Sequence, residues 1–119
     1  MKIINSSLHA ILDYIAVLLL VSAPLIFGFS QVISLFTFSL GGIHLILTVL
    51  TDFRGGLVKI IPFRIHGVIE LSVSFALFLF TLLFPFQFDA EFYFYLFFSF
   101  LVFIIWLLTD YTPQSRILL

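Results

Sequence analysis

Residues 8–27 read LHAILDYIAVLLLVSAPLIF, twenty positions in which His9 and Asp13 alone are ionisable below neutral pH. A helix needs about 20 mostly apolar residues to cross the hydrocarbon of a bilayer. The run is continuous and does not alternate, so it does not read as a barrel strand. Three similar stretches follow, at residues 32–50, 65–84 and 92–108. Pro24 and Gly28 punctuate the end of the first, Pro85 closes the third, and Asp110 and Pro113 follow the fourth. Pro and Gly mark helix ends, so the pattern predicts four transmembrane helices and leaves strands unlikely.

Composition agrees. Of 119 residues, 63% are hydrophobic and only 9% charged, and 18 are Phe. A soluble domain is about half apolar and about a quarter charged. A small soluble fold buries only about two-thirds of its chain surface and has no room for this much apolar area. The mean hydropathy of +1.32 points to lipid as the solvent. A net charge of −1 provides no basic face for nucleic acid. The lack of Cys excludes disulfides, thiol catalysis, iron–sulfur clusters and thiolate metal sites, and leaves the redox compartment open. Lys2 and the run ending at Val21-Ser22-Ala23 imitate a cleavable signal peptide. His9 and Asp13 interrupt that run and Pro24 follows the small residue directly, so a retained helix is expected.

The predicted connections are short: residues 29–31, 52–64 and 87–91. Short loops force consecutive helices to lie antiparallel and adjacent. All five cations, Lys2, Arg54, Lys59, Arg64 and Arg116, fall in the N-terminal tail, the middle loop or the C-terminal tail, whereas Asp89 and Glu91 lie in the last loop. The positive-inside rule then places both termini and the middle loop in the cytoplasm. The expected fold is an all-α, integral membrane four-helix bundle forming a single domain over residues 1–119.

The halves resemble each other. His9-x-x-x-Asp13 opens the first helix, and His66-x-x-x-Glu70 opens the third, 57 positions later. Leu50-Thr51-Asp52-Phe53 ends the second, and Leu108-Thr109-Asp110-Tyr111 ends the fourth, 58 positions later. Two hairpins, about 1–57 and 58–119, both enter from the same side, so the repeat is parallel and its pseudo-two-fold axis runs along the membrane normal. The match has gaps. Pro24 and Pro85 are offset by about one turn, and Val102 stands where the first half has His44. The His-x-x-x-Asp start, the segment Ser22-Ala23-Pro24-Leu25-Ile26-Phe27-Gly28-Phe29 and the two-helix repeat resemble the SPW-repeat family of small bacterial membrane proteins. Ala23 separates Ser22 from Pro24, no Trp follows, and the second half has only Phe84-Pro85-Phe86. The resemblance implies the hairpin architecture and no particular activity.

Ionisable groups inside a span are costly, about 2.5–3.5 kcal/mol for Asp at a helix centre on insertion scales. Here His9 and Asp13 share one face of the first helix, His66 and Glu70 one face of the third, and His44, Thr48 and Asp52 one face of the second, with Asp110 ending the fourth. At 1.5 Å per residue, Asp13, His44 and Glu70 lie roughly 8–12 Å inside the cytoplasmic boundary. The pattern describes a polar inner chamber beneath an apolar outer two-thirds. The leading expectation is structural: these groups bond between helices and organise a non-enzymatic accessory or assembly protein, partnered by lipid and by copies of itself or a larger membrane complex. Two other readings use the same residues. His9, Asp13, His44, Asp52, His66 and Glu70 offer nitrogen and carboxylate ligands for a divalent metal. Titrating imidazoles beside buried carboxylates suit proton or small-solute transport, though only Ser and Thr continue the path outward. Bis-His haem ligation and Ser-His-Asp catalysis have weaker support. Ser6 and Ser7 read as helix caps, Gly41-Gly42 as a close-packing point, and Gly55-Gly56 as a flexible surface turn. Trp106 reads as a lipid-facing or packing residue.

Overall fold

The computed structural model describes residues 2–87 and 89–112. Pro113 and Arg116, read above as a helix stop and as one of the cations, lie outside them. Four helices dominate: α1 (Ser6–Phe27), α2 (Gln31–Val49), α3 (Phe63–Leu83) and α4 (Ala90–Leu108). Each is long and apolar enough to cross a membrane. With 19 to 22 residues, they span about 28–33 Å, within a body measuring 51 × 27 × 18 Å.

Local chemistry sets the ends. Asn5, not Ser6 or Ser7, caps α1: its Oδ1 accepts from Leu8 N–H at 2.9 Å. Pro24 sits inside α1, and the stop comes later, at Gly28. Gly28 adopts a left-handed φ of 64°, which a residue without Cβ reaches cheaply. Phe84 is extended because it precedes Pro85, so α3 ends at Leu83. Asp89 Oδ1 caps α4 through Phe92 N–H.

α1 packs along α2 and α3 along α4, giving two hairpins. Contrary to the strand-free expectation, the chain after α2 pairs with the chain before α3. Strands β1 (Thr51–Asp52) and β2 (Ile61–Pro62) form a parallel pair, Thr51 opposite Ile61. A matching parallel bridge joins Ile4, before α1, to Thr109, after α4. Leu50 carbonyl accepts from Ile61 N–H at 2.8 Å, and Leu108 carbonyl from Ile4 N–H at 3.0 Å. The start of each hairpin is thus paired to the end of the other.

Two apolar clusters flank this region. The larger runs through Leu20, Ala23, Ile33, Leu77, Phe94, Tyr95 and Phe98 toward the α1–α2 turn. There Tyr95 OH and Thr37 Oγ1 hydrogen-bond, tying α4 to α2, and Ser30 N–H donates to the Glu91 carboxylate. The smaller cluster, at the end that carries the N-terminus, consists of Ala10, Phe53 and Phe63 with Tyr111 against it. Gly41 does provide a close approach: a Cβ there would meet Leu20 Cβ at 3.2 Å, while one on Gly42 would meet nothing within 4 Å. Gly55-Gly56 is no loose surface turn. Gly56 is buried, and a Cβ on Gly55 would lie 2.3 Å from Ala10 Cβ, so the loop sits directly on α1.

These contacts fix a contrast. Gly55→Ala is expected to lower stability by about 1–3 kcal/mol through overpacking. Gly42→Ala, at an open helical position, is expected to raise it by about 0.5–1 kcal/mol. Unfolding of the detergent-solubilised variants followed by circular dichroism checks both signs.

Candidate functional site: a buried histidine–carboxylate node

Between the two apolar clusters, four ionisable side chains converge. His9 and His66 are 0% exposed, Asp13 3% and Glu70 4%. Helical spacing of four residues places each carboxylate one turn beyond its histidine. Facing α1 against α3 brings the two pairs together, so that one ligand atom from each residue lies within 4.8 Å of the others.

The outer nitrogen of each ring is held by a threonine of the opposite hairpin. Thr109 Oγ1 donates to Ile105 carbonyl at 2.6 Å, and His9 Nδ1 lies 2.9 Å from the same oxygen. Thr51 Oγ1 donates to Leu47 carbonyl at 2.6 Å, and His66 Nδ1 lies 2.7 Å away. A hydroxyl has one proton. Both threonines have given theirs to the helix, so each must accept from a protonated Nδ1. Each imidazole therefore turns Nε2 into the node.

There, His9 Nε2 lies 2.7 Å from Glu70 Oε1 and 3.3 Å from Asp13 Oδ1. His66 Nε2 lies 2.8 Å from the same Glu70 oxygen and 3.1 Å from Asp13 Oδ2. Among these contacts the His9–Glu70 pair has hydrogen-bond geometry, whereas His66 Nε2 and Asp13 Oδ2 are buried without a hydrogen-bond partner among the described residues. Two carboxylates in apolar surroundings demand two compensating positive charges. Protons on both Nε2 atoms or one divalent cation would supply them.

Aromatic rings close the node at its terminal end. Phe63 meets His9 edge-on at 5.2 Å, Tyr111 does so at 5.6 Å, and Phe53 lies 5.6 Å from His66. Tyr111 also covers Gly67, where a Cβ would meet its ring at 2.8 Å. Burial pushes the Tyr111 phenol well above its ordinary range, and the Glu70 charge adds to the shift.

The other sequence candidates stand apart from the four. His44 is adjacent, its buried Nε2 3.5 Å from Asp13 Oδ1. Asp52 does not share a helical face with His44, because α2 ends at Val49 and Thr51–Asp52 is extended. Successive residues of extended chain face opposite ways, so Thr51 is buried in the node and Asp52 is not a member of it. Asp110 follows the same rule after Thr109, and its Oδ1 accepts from Thr112 N–H and Oγ1. The residues that sequence reasoning missed are Thr51, Thr109, Phe53, Phe63 and Tyr111. The signal for four of them lay in the repeated Leu-Thr-Asp-aromatic ending. Trp106 stacks on Phe103, with Lys2 Nζ 5.7 Å from its ring centre.

Comparison of the chain with protein-family models, with curated proteins and with solved structures finds no match.

Thr51→Val and Thr109→Val would each strand a buried Nδ1–H, at a cost of about 1–3 kcal/mol. The two losses are expected to be similar. Thr48→Val, which removes a hydroxyl that among the described residues bonds only the His44 carbonyl of its own helix, should cost far less in the same unfolding assay.

Proposed function

We propose that the chain is a multi-pass protein of a bacterial inner membrane, with both termini and the α2–α3 loop in the cytoplasm. Its role is structural or accessory and non-enzymatic: the node locks two hairpins into one bundle that presents apolar faces to lipid, to further copies or to a larger membrane complex. Membership of the SPW-repeat group, on the residues quoted above, is part of this proposal.

The observation that carries it is the inversion of burial. Large apolar side chains line the outside, with Leu18 68%, Leu25 76% and Leu83 80% exposed, while the acids and imidazoles of the node are sealed within. Water would reverse that distribution; lipid favours it. The cationic residues Lys2, Arg54, Lys59 and Arg64 lie at the end that carries the node, and Asp89 and Glu91 at the other, which supports the orientation.

Transport has less support. Beyond Glu70, the hydroxyls of Ser22, Ser72, Ser74 and Thr81 donate to carbonyls of their own helices and offer no ladder across the bundle. At the other end the aromatic plug covers the node.

The absence of Cys makes single-cysteine reporters clean. Lys59→Cys in spheroplasts is expected to resist a membrane-impermeant maleimide until the membrane is opened, and Gln87→Cys to label at once. Labelling in the reverse order, or a chain that stays soluble without detergent, contradicts the proposal.

A further inference from the structure

We propose that the node is a binding site for one divalent first-row metal ion, held by His9 Nε2, Asp13, His66 Nε2 and Glu70. Three features carry this beyond a simple cluster of polar groups.

The first is the direction of the lone pairs. Both threonines fix Nδ1 as the protonated nitrogen, so Nε2 of each ring presents its ligand lone pair inward. Metal-bound histidines are held in this way, by an acceptor on the ring nitrogen that faces away from the ion.

The second is the pair of unpartnered atoms. If protons alone neutralised the node, the one on His66 Nε2 would have no acceptor in line, and Asp13 Oδ2 would stay unbonded. A metal needs no in-line partner, because it draws all the lone pairs to a single centre. Ligands about 2.1 Å from a tetrahedral ion stand about 3.4 Å apart. The observed approaches of 2.7 to 3.3 Å need to open by about 0.1 to 0.7 Å.

The third is charge. Two neutral imidazoles and two carboxylates sum to −2, which a divalent ion cancels and a monovalent ion leaves half uncompensated in an apolar medium. Imidazole nitrogen with carboxylate oxygen and no thiolate favours manganese, iron or zinc over copper(I).

His44 breaks the repeat, since Val102 occupies the corresponding place in the other hairpin. Its buried Nε2 lies 3.5 Å from Asp13 Oδ1 and has no hydrogen-bond partner among the described residues. It borders a small cleft of about 50 Å³ whose lining includes Leu40, Ile43, Ile69 and Glu70. His44 therefore borders the site from α2 without belonging to the ligand set, and the four residues of the node make four-coordination the expected geometry.

A metal at the node is compatible with any partner of the bundle, so metal content and loop labelling can fail independently. The test is elemental analysis of the full chain purified in mild detergent from cells supplied with manganese, iron and zinc, followed by titration with cobalt(II) alone. One equivalent per chain and the strong visible d–d bands of a four-coordinate centre are expected. Glu70→Gln should abolish both. Thr51→Val and Thr109→Val keep every ligand and should weaken cobalt affinity by about 10–100-fold. His44→Val installs the residue of the other hairpin and removes no ligand, so it should keep the fold, the ion and the four-coordinate spectrum. A helical protein that neither retains metal nor develops cobalt bands overturns the proposal, as do cobalt bands unmoved by the Glu70 and both threonine substitutions.

Discussion

Two threonine hydroxyls, each with its single proton committed to its own helix, hold the structure together by accepting from histidines of the opposite hairpin. Thr109 holds His9, and Thr51 holds His66. Orientation of the rings follows, and with it the meeting of two nitrogens and two carboxylates between α1 and α3. The same crossing is repeated in the backbone, where Ile4 pairs with Thr109 and Ile61 with Thr51. Side-chain and main-chain bonds thus tie the start of each hairpin to the end of the other twice over.

The lipid medium proposed for the bundle would explain why polar contacts take this part. Between apolar helices in lipid there is no hydrophobic gain from association, and interhelical hydrogen bonds average about 0.6 kcal/mol. One such bond decides little. A closed set in which each member orients the next is worth more than its separate pairs, and removal of one member leaves others buried and unsatisfied. Phe53, Phe63 and Tyr111 keep the set dry on the terminal side, while Leu20, Ile33, Leu77 and Phe98 belong to the apolar core beyond it.

The sequence carried the helices almost whole, because twenty-residue apolar runs with Pro or Gly at their ends leave few alternatives. α2 and α4 begin within two residues of their expected starts, and α4 ends at Leu108 as expected. His-x-x-x-Asp and His-x-x-x-Glu were legible as helical faces and do converge. Asp52 was placed on the face of His44 and Thr48 because a helical period was carried past the end of α2; once the chain extends, the period is two and Thr51 takes the inward position. Gly55 and Gly56 were misjudged because a Gly pair signals a turn whether it is loose or pressed against a neighbour, and only the contact with Ala10 decides. The plug of Phe53, Phe63 and Tyr111 depends on which rings meet across the bundle, something no local spacing encodes.

The most direct measurement is the ¹⁵N spectrum of the imidazoles of His9 and His66 in the membrane-reconstituted protein, assigned by single His→Gln replacement. The account predicts a proton on Nδ1 of both rings, with the shift of a hydrogen-bonded donor, and Nε2 facing the carboxylates. A spectrum with Nδ1 unprotonated on either ring would contradict it, because the threonine could then no longer be the acceptor that orients the node.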